Sequence, residues 1–227
     1  MHNPLSKETR EVVWGSLIGD GGVFKDRCCR NSSYRESHSP KQYGYIKWKY
    51  DLLKPIMSSS LYSVTNFHKI RQKEYTTLQF VTKPHTYFSR LRKIFYPEGK
   101  KRIRRKILNR LTPLGLAVWF MDDGVFQKNN KNYPQLQIST AGFTLDENII
   151  MQQYFKECWG IETRVHSRKI KQYPKTYYNL YFNKPNSLKL IAIIKPYIIP
   201  CMFYKIKYFL QPSSYPENNS GGRHSLN

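Results

Sequence analysis

Apolar positions along the chain follow two rhythms. Four stretches repeat at helical spacing. One opens after Ser6 and runs through Trp14 to Asp20, and another opens at Thr112, with Pro113 in the first helical position, and runs to Asp123. A third begins at Thr144, where Glu147 closes a capping box, and reaches about Trp159 before Gly160; the fourth covers about His85 to Phe95. Between them lie segments of period-two alternation, the mark of strands with one buried and one solvated face. Ile161, Thr163, Val165 and Ser167 alternate with Glu162, Arg164, His166 and Arg168, and Leu136 and Ile138 alternate with Gln135, Gln137 and Ser139. Tyr178, Leu180 and Phe182 oppose Tyr177, Asn179 and Tyr181. In the first half, Ile46 and Trp48 oppose Tyr45, Lys47 and Lys49, while Leu78 and Phe80 oppose Thr77 and Gln79. Each half is predicted to read helix, two strands, helix, two strands, helix.

This layout occurs twice. WGSLIGDGGVF (Trp14 to Phe24) and LAVWFMDDGVF (Leu116 to Phe126) are both apolar runs ending in Asp-Gly. Asp20 and Asp123 differ by 123 − 20 = 103 positions, and Lys83-Pro84 and Lys184-Pro185 by 184 − 83 = 101. Two matches in one register predict a duplicated unit of about 100 residues. The expected division is a first repeat over residues 1–99, a basic linker over 100–110, a second repeat over 111–210 and a disordered Ser, Pro, Asn and Gly-rich tail over 211–227.

Charge then narrows the partners. The 227 residues carry 38 Lys+Arg against 15 Asp+Glu, a net charge of +23, with 18 Tyr and 12 Phe. Such a field concentrates polyanions, and flat rings add stacking surfaces, so nucleic acid is the expected partner. The most apolar stretch, Leu188 to Phe203, is broken by Lys189, Lys195, Pro196 and Pro200 and is too short to span a bilayer. Cys28, Cys29, Cys158 and Cys201 lack metal-ligand spacing and are expected to be free thiols in a reducing compartment. Early Glu8 and Glu11 do not suit an import or secretion signal, and a bias to Phe, Tyr, Ile, Asn and Lys suggests an AT-rich genome. The expectation is an intracellular protein of a mitochondrion or chloroplast, otherwise of a microbial cytoplasm.

The two aspartates supply candidate chemistry. A helix C-terminus already carries partial negative charge, so a carboxylate there costs roughly 0.3 to 1 kcal/mol without a cation. Two such ends side by side would favour a divalent ion. Oxygen ligands with no Cys or His suit Mg²⁺, completed by water and substrate phosphate. Gly15 and Gly19, with Ser16 beside them, form a small-residue face on which another helix could approach closely. In the second copy Val118 stands in register with Gly15 and Asp122 with Gly19; Asp122 is expected to bond nearby backbone or solvent, and Asp123 to be the equivalent of Asp20.

WGSLIGDGG and LAVWFMDDG resemble the two copies of the LAGLIDADG motif of monomeric, group-I-intron-encoded homing endonucleases, and the likeness extends from about Lys7 to Tyr208. It implies an α/β fold of two pseudo-symmetric αββαββα repeats whose antiparallel sheets form a saddle over a long asymmetric DNA site. It implies that Asp20 and Asp123, with Gly19 and Asp122 beside them, hold two or three Mg²⁺ ions and cut both strands, leaving 3′ overhangs. Mn²⁺ would substitute, and Ca²⁺ would bind without cleavage. It also implies a lysine near each acidic centre, filled by Lys101 (or Lys100) and Lys205. No histidine stands in register with a repeat counterpart, so no side-chain general base is expected.

DNA contacts are expected from Lys25, Arg27, Tyr45, Lys47, Lys49, Lys69, Arg71, Lys73, Thr77 and Gln79 in the first repeat. In the second they are expected from Gln127, Gln135, Gln137, Ser139, Arg164, His166, Arg168, Tyr177, Asn179 and Tyr181. Arg and Lys suit guanine edges, Gln and Asn adenine edges. The expected species is a monomer. Two other readings stay open: an intron RNA maturase, and a non-catalytic nucleic-acid-binding regulator on the same scaffold.

Overall fold

Short capped helices and alternating strands build two lobes of the same design. The structure, a computed structural model, describes residues 5–68, 72–128, 134–169 and 175–210. The first lobe runs α1 (Lys7–Ile18), β1 (Gly22–Phe24), β2 (Ser33–His38), α2 (Tyr43–Leu53), β3 (Tyr62–His68), β4 (Lys73–Val81) and α3 (Thr86–Phe95). A one-turn helix α4 (Arg105–Leu108) leads to α5 (Pro113–Asp123), β5 (Gly124–Lys128), β6 (Pro134–Ser139), α6 (Leu145–Trp159), β7 (Arg164–Lys169), β8 (Thr176–Phe182) and α7 (Lys184–Ile194). After 3₁₀ turns the described chain closes with α8 (Lys207–Leu210). The sheets have the same antiparallel order, β1-β2-β4-β3 and β5-β6-β8-β7. The duplication is therefore structural, as is the αββαββα repeat.

The helix starts follow their sequence signals. The Ser6 side chain accepts from the Thr9 N–H at 3.0 Å, and the Thr112 side chain accepts from that of Gly115 at 3.1 Å, with Pro113 in the first turn. The Thr144–Glu147 capping box is complete, and α6 ends on Gly160 in the left-handed region (φ 62°). Inner sheet faces are mostly apolar, with Phe80, Leu136, Ile138, Leu180 and Phe182 fully buried.

One segment differs from the sequence expectation. Tyr45 to Lys49 lies in α2, not in a strand. Aromatic and β-branched residues gave it an alternating look over five positions, but the buried set is Tyr45, Ile46, Lys49 and Leu53, which is helical spacing. Lys47 confirms the period by pairing with Asp51 one turn on, at 2.6 Å.

The basic segment between the lobes is not merely solvated. Ile103, Ile107 and Leu108 are buried, and the Trp14 indole of α1 donates to the Ile107 carbonyl at 3.0 Å. The cysteines are free thiols among the described residues, as expected. No helix among the described residues is long and apolar enough to cross a membrane. Lys69, Arg71 and the tail from residue 211 lie outside the described residues.

Candidate active site

α1 and α5 meet along their lengths at backbone distance. A Cβ on Gly15 would lie 2.2 Å from the Gly115 carbonyl oxygen, so only glycine fits there. Gly15 thus provides the close approach expected of it, but its partner is Gly115, one turn ahead of Val118. Val118 is buried and does not hold the helices apart. A Cβ on Gly19 would fall 2.6 Å from the Asp122 side chain. The glycines after the aspartates serve space as well. Gly124 has φ −72°, open to any residue, but a Cβ would come within 2.4 Å of Phe120; on Gly21 one would come within 2.6 Å of the Tyr34 hydroxyl.

The helix ends place Asp20 and Asp123 at the junction of the lobes. Burial, then the neighbouring charge of Asp122, pushes the Asp20 carboxyl above its usual value. Burial and the charges of Asp20 and Asp122 push Asp123 well above its own, offset in part by Lys101 and Lys205. Carboxylates driven toward the neutral acid at the negative ends of two helices are what a divalent cation would relieve, and an oxygen-rich site of this kind suits Mg²⁺.

Each helix end is held by one lysine. Lys101 Nζ donates to the carbonyls of Gly19 (2.9 Å) and Gly21 (2.8 Å), and Lys205 Nζ donates to those of Met121 and Asp122, the latter at 3.0 Å. Of the adjacent pair it is Lys101 that reaches the Asp20 end. The lysines satisfy carbonyls that a helix terminus leaves without partners. Burial lowers the pKa of both ammonium groups, against the opposing pull of the nearby carboxylates.

Asp122 bonds nearby backbone as expected, and buried side chains of the other lobe as well. Its side chain is fully buried; Oδ1 accepts from Tyr45 Oη at 2.6 Å and from Lys49 Nζ at 2.7 Å, and Oδ2 accepts from the Asp20 N–H at 3.3 Å. Lys49 also bonds Glu36, which is fully buried. Tyr45 and Lys49 are 0% and 1% exposed, so the structure removes both from the expected DNA contacts and makes them struts between the lobes. Buried Lys49 and His38 hold the Glu36 carboxyl below its usual range although burial alone would raise it.

His38 is the residue that the repeat logic missed. Its Nε2 is 2.8 Å from Glu36 Oε1 and its Nδ1 is 3.7 Å from Asp20 Oδ2. Burial lowers its affinity for a proton, but the bond to Glu36 more than compensates and raises its pKa. Asp20, His38 and Asp122 each present a possible ligand atom, all within 4.8 Å of one another. The trace in sequence is that Glu36 and His38 occupy alternate positions beside Tyr34, where an inward strand face should be apolar.

The remaining sheet residues group as alternation predicts. In the second lobe Val125, Gln137, Tyr181 and Arg164 stand opposite one another across four strands, Ser139 faces Asn179, which faces His166, and Tyr177 faces Arg168. Gln127 faces Gln135 on the same side, and the rings of His166 and Tyr181 stack at 4.2 Å. Gln137 lies deeper than its neighbours and is buried. In the first lobe Lys73, Thr77 and Gln79 share a face with Tyr75, Tyr62 and Ser37, which sequence reading had not selected. Arg35 joins them, its guanidinium 4.9 Å over the Phe24 ring. Lys25 and Arg27 are exposed on the loop after β1.

Comparison with known proteins agrees with this geometry. The family model described as the LAGLIDADG DNA endonuclease family matches residues 10–190. A "Protein RecA" of Mycolicibacterium flavescens is 30% identical over 89% of this chain and 47% of its own length, so the chain spans about half of that relative. The "DNA endonuclease I-ChuI" of Chlamydomonas applanata is 27% identical over 89% of this chain and 95% of its own. Among solved structures, the homing endonuclease I-WcaI bound to its DNA recognition sequence superposes with a TM-score of 0.79, at 23% identity over 90% of this chain and 88% of that one. With the paired Asp-ended helices, the doubled sheet order and a family match over most of its length, the chain belongs to the LAGLIDADG DNA endonuclease family.

Proposed function

We propose that the chain is a site-specific double-strand DNA endonuclease that hydrolyses one phosphodiester on each strand of a long asymmetric target, leaving 3′ overhangs. The observation that carries this is the convergence of Asp20 and Asp123 at adjacent helix ends, each end gripped by a lysine, between two polar sheet faces. Asp20 and Asp123, with the Gly19 carbonyl beside them, would hold two or three Mg²⁺ ions. When bound, such an ion lowers the pKa of a coordinated water toward neutrality and shields charge on the phosphate and the leaving 3′ oxygen.

The chain's own groups do the rest. Lys101 and Lys205 supply fixed positive charge beside the carboxylates, suited to an extra negative charge at phosphorus. The open faces, with Gln79, Thr77 and Lys73 in one lobe and Gln135, Ser139, Arg164, His166, Arg168, Tyr177, Asn179 and Tyr181 in the other, supply groove contacts. Lobes of residues 1–99 and 111–210, joined by the basic segment 100–110, give one chain both halves of the site, so it acts as a monomer. Work inside the cell, in an organelle or a microbial cytoplasm, follows from that target.

The test is cleavage of a target plasmid by the purified chain. Mg²⁺ or Mn²⁺ should support double-strand cleavage and Ca²⁺ binding alone, while Asp20→Asn and Asp123→Asn should bind but no longer cut both strands. Intact binding with no cleavage by the wild type under any of these ions would overturn the nuclease reading in favour of RNA binding or regulation.

A further inference from the structure

The repeats are alike in topology but not around their carboxylates. In the first lobe β2 turns Glu36 and His38 inward. Glu36 holds one edge of the imidazole (Nε2 to Oε1, 2.8 Å), and Tyr45 packs edge-on against the ring at 5.1 Å. The ring is buried, with Nδ1 fixed 3.7 Å from Asp20 Oδ2 and 3.3 Å from Gln42 Oε1. Strand pairing identifies the counterparts in the second lobe. Gly22 and Val125, each two residues past its aspartate, pair with Arg35 and Gln137, so the residues that follow these correspond: Ile138 replaces Glu36, and Thr140, two residues on, replaces His38. Ile138 is fully buried and apolar, and the Thr140 hydroxyl is spent within its own lobe on Asn148 and on the Tyr178 carbonyl at 3.1 Å. Among the described residues Asp123 therefore has no imidazole in the corresponding place; the cations whose charge acts on it are Lys101 and Lys205.

We propose that His38, oriented by Glu36, is a positioning residue for Asp20, so that it supports cleavage of one DNA strand and not the other. The inference rests on the nuclease reading above. Held at ion-pair distance from Oδ2, the ring restricts how the Asp20 carboxylate can turn, and among the described residues no imidazole does the same for Asp123. On the nuclease reading each aspartate, carried by its own lobe's helix, serves one of the two strands, so a contact to Asp20 alone acts on that strand, whereas damage to the fold or to DNA binding acts on both.

The experiment uses the full chain and a supercoiled plasmid bearing the duplex that the chain selects by binding from a random library. Supercoiled, nicked and linear forms are followed in Mg²⁺, and each strand is followed separately on an end-labelled duplex. His38→Ala should slow one strand by about 10- to 100-fold, as loss of such a supporting contact does, and leave the other near the wild-type rate, so nicked circles accumulate. His38→Gln, which keeps a polar group on a similar reach, should restore part of the lost rate on that strand. Unchanged duplex affinity and unfolding temperature show that the variants are folded. Should His38→Ala misfold, His38→Gln carries the test, with the same one-sided slowing to a smaller degree. Equal slowing of both strands, or of neither, overturns this inference and leaves the nuclease reading standing; a wild type that binds but cuts no strand overturns both.

Discussion

Lys49 lies between two carboxylates in the interior, bonded to Glu36 on its own lobe and to Asp122 on the other. Removing the cation alone leaves two buried negative charges facing each other. Lys49→Met should therefore destabilise the protein by about 3 to 5 kcal/mol, the usual cost of breaking a buried pair from one side, measured by urea unfolding. The Asp20 and Asp123 carboxyls carry the opposite sign. Their folded-state pKa values are raised from an ordinary 3.8, so the folded state binds protons more tightly, and their contribution to stability falls as pH rises from about that value through the raised one. At neutral pH without divalent metal, Asp123→Asn should raise the unfolding temperature, and Mg²⁺ should stabilise the wild type more than the variant. A lower unfolding temperature for the variant under those conditions would contradict the crowding described here.

Among the elements, the paired helices were the most legible. Ser6, Thr112 and Pro113 mark their starts, Gly15 marks the close approach, and Asp20 and Asp123 fall at their ends because the repeat offset puts them there. α2 is ambiguous in sequence because three aromatic or β-branched residues interleaved with two lysines look alike in either period over five positions, and only Asp51 and Leu53 beyond them separate the two. Lys49 reads as a DNA contact and Glu36 carries no signal, because each looks like a surface residue until its partner from a distant segment is known. His38 escaped because a search for paired features cannot see an unpaired one. At the helix contact, Gly15→Ala places a methyl 2.2 Å from a carbonyl oxygen that backbone packing holds in place. Overpacking of that severity should cost about 3 kcal/mol or more, visible as a lowered unfolding temperature with both lobes melting together. An unchanged unfolding temperature would mean that the helices can slide apart freely.

Across the whole molecule, charge and the two sheet faces would govern the recognition of DNA proposed above. A net charge of +23 favours any duplex, so affinity should fall by about 10³ to 10⁵ between 50 and 200 mM salt if six to ten phosphates are contacted. Discrimination between sequences should depend far less on salt. Arg164→Ala, on the face shared with Tyr181 and Gln137, should relax preference at one position of the target by about 1 to 3 kcal/mol in competition binding. A uniform loss over all sequences would instead mark Arg164 as a phosphate contact.

The glycine seam between α1 and α5 also bears on how such a protein could be rebuilt. Because a Cβ on Gly15 would fall 2.2 Å from the Gly115 carbonyl oxygen, a first lobe borrowed from a different chain will seat only if it brings a glycine to that point. A borrowed second lobe must bring an acid where Asp122 meets Lys49 and Tyr45 across the divide. On the nuclease reading, new target specificity would be sought by exchanging strand residues on the open faces, whereas exchanging whole halves means transplanting the joint along with them.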